Sequence, residues 1–222
     1  MIYLLPILAV LAGFLISLFL KPSSSTRFQL LLSFSGAYLL SVTVLELLPD
    51  VYSNGNGKIG IFIIMGLVFQ IILEFLSKGV EHGHMHHDLE TRHFPLALLI
   101  SLSLHSLLEG FPLVNSAHLL HGVVIHKIPV AAILSAFLLQ SQIGKTKTLL
   151  FLGIFSLMTP MGIWLQEHVQ ALSRFAPYIN AAVIGIFLHV STTILFESSK
   201  NHKFNASKLA VILFGILLAY FL

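Results

Sequence analysis

The stretch FPLALLISLSLHSLLEGFPLVNSAHLLHGVVIHKIPVAAILSAFLLQ, residues 94–140, decides how the chain folds. It holds two apolar runs, 94–114 and 117–140, parted only by Asn115 and Ser116, and its sole formal charges are Glu109 and Lys127. About 20 apolar residues in a helix cross the hydrocarbon of a bilayer, so each run predicts one transmembrane helix. A carboxylate and an ammonium inside such helices are costly unless they face a partner or a cavity. The stretch therefore predicts an architecture and, within it, a place where chemistry happens.

Working outward, the same pattern recurs at 2–20, 28–49, 58–79, 147–167, 175–197 and 204–222, which with the first two runs predicts eight spans. Of the 222 residues 56% are hydrophobic and only 9% charged, and the mean hydropathy is +0.93, far from the values of a soluble domain. The expected fold class is all-α, a polytopic bundle of eight transmembrane helices forming a single membrane domain over residues 1–222. There are no cysteines. Disulfides and thiolate metal sites are thus excluded, and any transition metal must be held by imidazole, carboxylate, hydroxyl or water. The net charge of +3 does not point to nucleic acid, because nearly all Lys and Arg sit at helix ends.

Those basic residues orient the bundle. The first run has no basic segment ahead of it and is followed by Lys21 and Arg27, so it reads as a retained helix rather than a cleaved signal peptide. Loops after spans 1, 3, 5 and 7 hold Lys21, Arg27, Lys78, Arg92, Lys145, Lys147, Lys200, Lys203 and Lys208; the opposite loops hold only Lys58 and Arg174. The positive-inside rule then predicts both termini outside. On the cytosolic side, 80–93 forms a His-rich loop, where His82, His84, His86 and His87 alternate with small and acidic residues in a pattern suited to loose metal binding. A polar linker with incidental histidines is the plainer alternative.

Within span 4, His105 and Glu109 stand four residues apart and share one helix face. An imidazole and a carboxylate so stacked supply half of a divalent metal site. Gly110 and Pro112 break the helix directly beside them, as backbone tends to break at transporter binding sites. In span 5, Lys127 requires a counter-charge, for which Glu109 is the natural choice, and His126 would complete a ligand set of His105, Glu109 and His126. The competing reading is a buried salt-bridge cluster that only fixes helix packing, although buried ion pairs seldom add stability over apolar packing. His118 and His121 are expected at the outer end of span 5, one turn apart, where they would either meet an incoming cation or sit as hydrated interfacial residues. Glu46 in span 2, Glu74 in span 3 and His189 in span 7 are further candidates to line a polar path.

His105-Ser106-Leu107-Leu108-Glu109-Gly110 resembles the His-Asn/Ser-x-x-Glu-Gly signature of the ZIP (ZRT/IRT-like) metal transporters, and His126-Lys127 resembles one branch of that family. Glu46-Leu47-Leu48-Pro49, Thr159-Pro160-Met161-Gly162 and Gly185-Ile186-Phe187-Leu188-His189 are similar to its pieces in spans 2, 6 and 7, in the same order. The resemblance implies eight helices, a metal site between spans 4 and 5, and movement of a divalent ion towards the cytosol. Many members carry His-Asn-x-Pro-Glu-Gly in span 5 and hold two metals, whereas here Lys127 takes the Asn place and Val130 the Glu place. One transported ion is therefore expected, with Lys127 at the second position, beside Ser106, as a fixed charge, because a protonated lysine cannot ligate.

The resemblance implies Zn2+ as cargo rather than cofactor, with Fe2+, Mn2+ and Cd2+ as further candidates since the donor set does not select among them. It also implies alternating access, with spans 1, 4, 5 and 6 moving against the rest. The expected partners are divalent ions and the lipid bilayer, with a homodimer left open, and the expected location is the plasma (inner) membrane. No enzymatic activity is expected. An exporter or antiporter would share the ligands and reverse the direction. An intramembrane zinc hydrolase is a more distant rival, as no His-Glu-x-x-His helix is present and Asp50 and Asp88 lie at a helix end and in a loop.

Overall fold

A computed structural model describes residues 1–19, 26–54, 57–77, 94–114, 116–197 and 206–221. The His-rich loop with His82, His84, His86 and His87 lies outside the described residues. Those described form an all-helical bundle with no strand: α1 (Leu4–Phe19), α2 (Thr26–Val42), α3 (Leu48–Asn54), α4 (Ile59–Ser77), α5 (Leu96–Glu109), α6 (Ala117–Gln140), α7 (Lys145–His168), α8 (Gln170–Arg174), α9 (Ala176–Glu197) and α10 (Ala206–Phe221). Among the described residues, six stretches are long and apolar enough to cross a membrane: Phe28–Ser53, Ile59–Ser77, Leu96–Val114, Ala117–Gln140, Lys145–His168 and Ala176–Phe196. This is an integral membrane protein. The runs expected at 2–20 and 204–222 form α1 and α10, apolar helices of 16 residues each.

Span 2 runs on past its expected end at Pro49. Proline has no N–H to offer the carbonyl one turn back, but a wide π turn over Thr43–Leu47 shifts the register just before it. There the Leu48 N–H donates to the Thr43 carbonyl, and helix resumes as α3. Glu46 sits in that turn. Span 4 behaves differently. Gly110 ends α5, and the chain tightens into a 3-10 turn, Phe111–Val114, that carries Pro112.

Lipid tails are as apolar as the side chains they meet, so helices in a bilayer associate by close packing rather than by escaping water. Glycine provides that closeness at three seams. A Cβ on Gly66 in α4 would overlap the Ala182 backbone in α9, one on Gly162 in α7 would overlap the Leu107 carbonyl in α5, and one on Gly13 in α1 would press on the Ile128 carbonyl in α6. The strongest packing is pairwise and follows these seams: α4 lies on α9, α1 on α6 and α5 on α7, with α10 on α2 as a fourth pair. The pairs are joined chiefly along α2 against α6, α2 against α9 and α4 against α5. Buried on most of its faces, α6 runs through the middle.

Candidate functional site

Polar side chains inside the bundle behave in two ways. The hydroxyls of Ser41, Thr43 and Ser191 donate back to carbonyls of their own helix, at 2.8 Å (Ala37), 2.7 Å (Leu39) and 2.5 Å (Phe187), and so satisfy themselves locally. A second set reaches across helices, and it converges where α5, α6, α7 and α4 face one another.

At the centre is Glu109, only 2% exposed. Its Oε1 accepts from the Lys127 ammonium of α6 and, at 2.6 Å, from the Thr159 hydroxyl of α7. Lys127 Nζ also donates to Ser106 Oγ at 2.5 Å and lies 4.6 Å from the centroid of the Phe155 ring. Ser106 Oγ stands 3.1 Å from Thr159 Oγ1 and 3.2 Å from Glu109 Oε1. A hydroxyl has one proton to give. Thr159 gives its proton to the carboxylate, so that of Ser106 lies between Thr159 and Glu109, and Lys127, Ser106, Thr159 and Glu109 close a ring of donors around Oε1.

The other carboxylate oxygen is turned elsewhere. Glu109 Oε2 faces His105 Nε2 across 3.7 Å, beyond hydrogen-bond reach. The far ring nitrogen of His105, Nδ1, is 3.0 Å from the Gln70 side-chain carbonyl oxygen of α4. His126 is buried like its neighbour Lys127, but its Nδ1 has no hydrogen-bond partner among the described residues. A buried nitrogen with a lone pair or proton to place and no partner is uncommon. Pro129, three residues on, withholds the N–H that the Ile125 carbonyl would otherwise receive. Among the described residues, no three His, Asp or Glu side chains are gathered to hold a metal ion together. The cluster as it stands is closed by lysine.

Two further pairs flank it. Near the expected outer end, Glu46 contacts His118 Nδ1 through Oε1 and accepts from Ser116 Oγ at 2.9 Å through Oε2. Ser116 is also the N-cap of α6, accepting from the Leu119 N–H at 3.0 Å. Glu46, Asp50, Ser116, His118 and Asn180 line a cavity of about 710 Å³. His121 is exposed and lies outside that lining. On α4 and α9, Glu74 contacts His189 Nε2.

Sequence reasoning alone did not single out Gln70, Thr159 as a partner of Glu109, or Ser116. Thr159 lay in a motif, and Ser116 in a visible cap position before an apolar run. The signal for Gln70 is an amide inside an apolar helix, one turn before Glu74.

No protein-family model matches the chain. It is 24% identical to the zinc transporter ZIP1 of Danio rerio over 233 aligned positions, which cover 79% of this chain and 76% of that protein. It is 29% identical to the zinc transporter ZIP1 of Takifugu rubripes over 133 positions, covering 55% of this chain but only 44% of that protein. The signature residues follow the family's order along the chain, and these two relatives support its membership of the ZIP family of metal transporters.

Proposed function

We propose that this protein carries a divalent metal ion, zinc first, across the bilayer towards the cytosol by alternating access, and that His105, Glu109 and His126 bind the ion. One observation carries the reading. A buried imidazole nitrogen and a buried carboxylate oxygen face each other 3.7 Å apart, too far for a hydrogen bond. Zinc bonds to nitrogen and oxygen at about 2.0–2.2 Å, so a single ion spans that gap. His126 would close in through its unpartnered Nδ1. That the relatives are named as transporters, and not as hydrolases, favours transport over an intramembrane enzyme.

Lys127 holds Glu109 in the meantime. Its ammonium neutralises the carboxylate while no ion is bound and repels an arriving cation, which keeps binding weak enough for release. The cavity beside Glu46 and His118 offers a hydrated ion its first carboxylate and imidazole. In this reading α1, α5, α6 and α7 move as one group against a second group of α2, α4, α9 and α10, and the ligands on α5 and α6 pass along α2 and α4, against which those two helices pack. Glu74 and His189 lie on the expected path to the cytosol, where the histidines of the 80–93 loop would receive the ion. Eight spans, both termini outside and a plasma (inner) membrane location complete the proposal.

The test is zinc uptake into proteoliposomes of the purified protein beside the His105→Ala and Glu109→Ala variants, with Fe2+, Mn2+ and Cd2+ as competitors. Uptake that both substitutions abolish is the expected result. Absence of flux with every one of these metals, in folded protein, would overturn it. Export uses the same ligands, so oriented vesicles loaded on one side decide direction.

A further inference from the structure

Zinc takes imidazole as a neutral ligand through a bare ring nitrogen, and which nitrogen is bare depends on what the other one is doing. His105 presents Nε2 towards Glu109, at 3.7 Å, and Nδ1 towards Gln70 Oε1, at 3.0 Å. A carbonyl oxygen only accepts. The ring must therefore carry its proton on Nδ1 and leave a lone pair on Nε2, aimed at the gap shared with Glu109. Gln70 is fully buried, as is His105 almost entirely, so no bulk water competes for the bond.

We propose that Gln70 is a positioning residue of the metal site: it sets the tautomer and orientation of His105 from across the seam between the two helix groups. It rests on the transport reading above and extends it in one respect. Gln70 belongs to α4, which is locked onto α9 where Gly66 meets Ala182, whereas His105 belongs to α5, locked onto α7 where Leu107 meets Gly162. The bond crosses from one group to the other. When the groups shift, α5 leaves α4, the acceptor is lost, and His105 is free to move its proton to Nε2 and let go of the ion. Affinity is thereby tied to conformation through a residue that never touches the metal.

Two variants and two readouts test this. Gln70→Met keeps the length of the side chain and removes the acceptor; Gln70→Glu keeps an acceptor at the same reach. In metal-free protein carrying 15N-labelled histidine, with the His105 resonances assigned by their loss in His105→Ala, the wild type and Gln70→Glu should show the proton on Nδ1. Gln70→Met should show it moved wholly or partly to Nε2. In zinc uptake, Gln70→Met should raise KM about 10-fold or more, the usual effect of losing an outer-shell partner, with a much smaller change in the maximal rate, and Gln70→Glu should restore it. An unchanged tautomer in Gln70→Met overturns the inference even if zinc is transported. A tautomer that follows Gln70 in a protein that moves no zinc would uphold the positioning while refuting the transport reading. A KM rise that Gln70→Glu fails to rescue, with the tautomer unmoved, assigns Gln70 to packing alone.

Discussion

Glu109 and Glu46 are held by the same kit of parts in different surroundings. Each carboxylate meets a basic nitrogen and a serine hydroxyl: Lys127 and Ser106 for Glu109, His118 and Ser116 for Glu46. The first pair is 2% exposed on both sides, while the side chains of the second are 46% and 33% exposed. Burial changes what the kit does. Near the surface, water and salt screen the pair, its members exchange partners readily, and the pair contributes at most about 1 kcal/mol. In the interior neither charge can be removed alone without stranding the other. On the proposed function, one glutamate would greet ions and the other would hold one in return for a lysine.

That contrast can be broken at its strong end first. Glu109→Ala should abolish uptake and lower stability by about 3–5 kcal/mol, because Lys127 is left charged and alone; denaturation in detergent measures the second effect. Adding Lys127→Met removes the stranded charge and should recover most of the stability, with uptake still absent. If stability does not return, the pair is not what the substitution broke. Thr159→Val deletes one donor to Oε1, and a hydrogen bond to a charged group is worth about 1.5–3 kcal/mol. Its stability should fall by that order while uptake persists with altered KM. Glu46→Gln sits at the weak end. Stability should move by less than about 1 kcal/mol, and uptake should slow at low salt but converge with the wild type above physiological ionic strength, where charges are screened beyond about 8 Å.

The sequence disclosed these two glutamates unequally. Long apolar runs bounded by turn residues made the helices readable, and the four-residue spacing of His105 and Glu109 was enough to place both on one helix face. What remained hidden depends on contacts far apart in the chain. Gln70 meets His105 across 35 residues and Thr159 meets Glu109 across 50, and no local periodicity announces either. The wide turn at Thr43–Leu47 was hidden for another reason: it relieves Pro49 by a change of register, and the same residues suit an ordinary helix.

The closed ring around Glu109 also bears on energy supply. With Lys127 paired to Glu109, the site without its ion would carry no net charge, so on the proposed cycle the return stroke would be blind to membrane voltage. The loaded stroke would move a divalent ion. A potential of 100 mV, negative inside, is worth about 2.3 kcal/mol for each charge moved across it, and so about twice that for the ion. By RT arithmetic this is on the order of a thousandfold accumulation. On the proposed cycle, a lysine that waits in place of the metal would make transport electrogenic, and a potential of that size would draw the ion inwards.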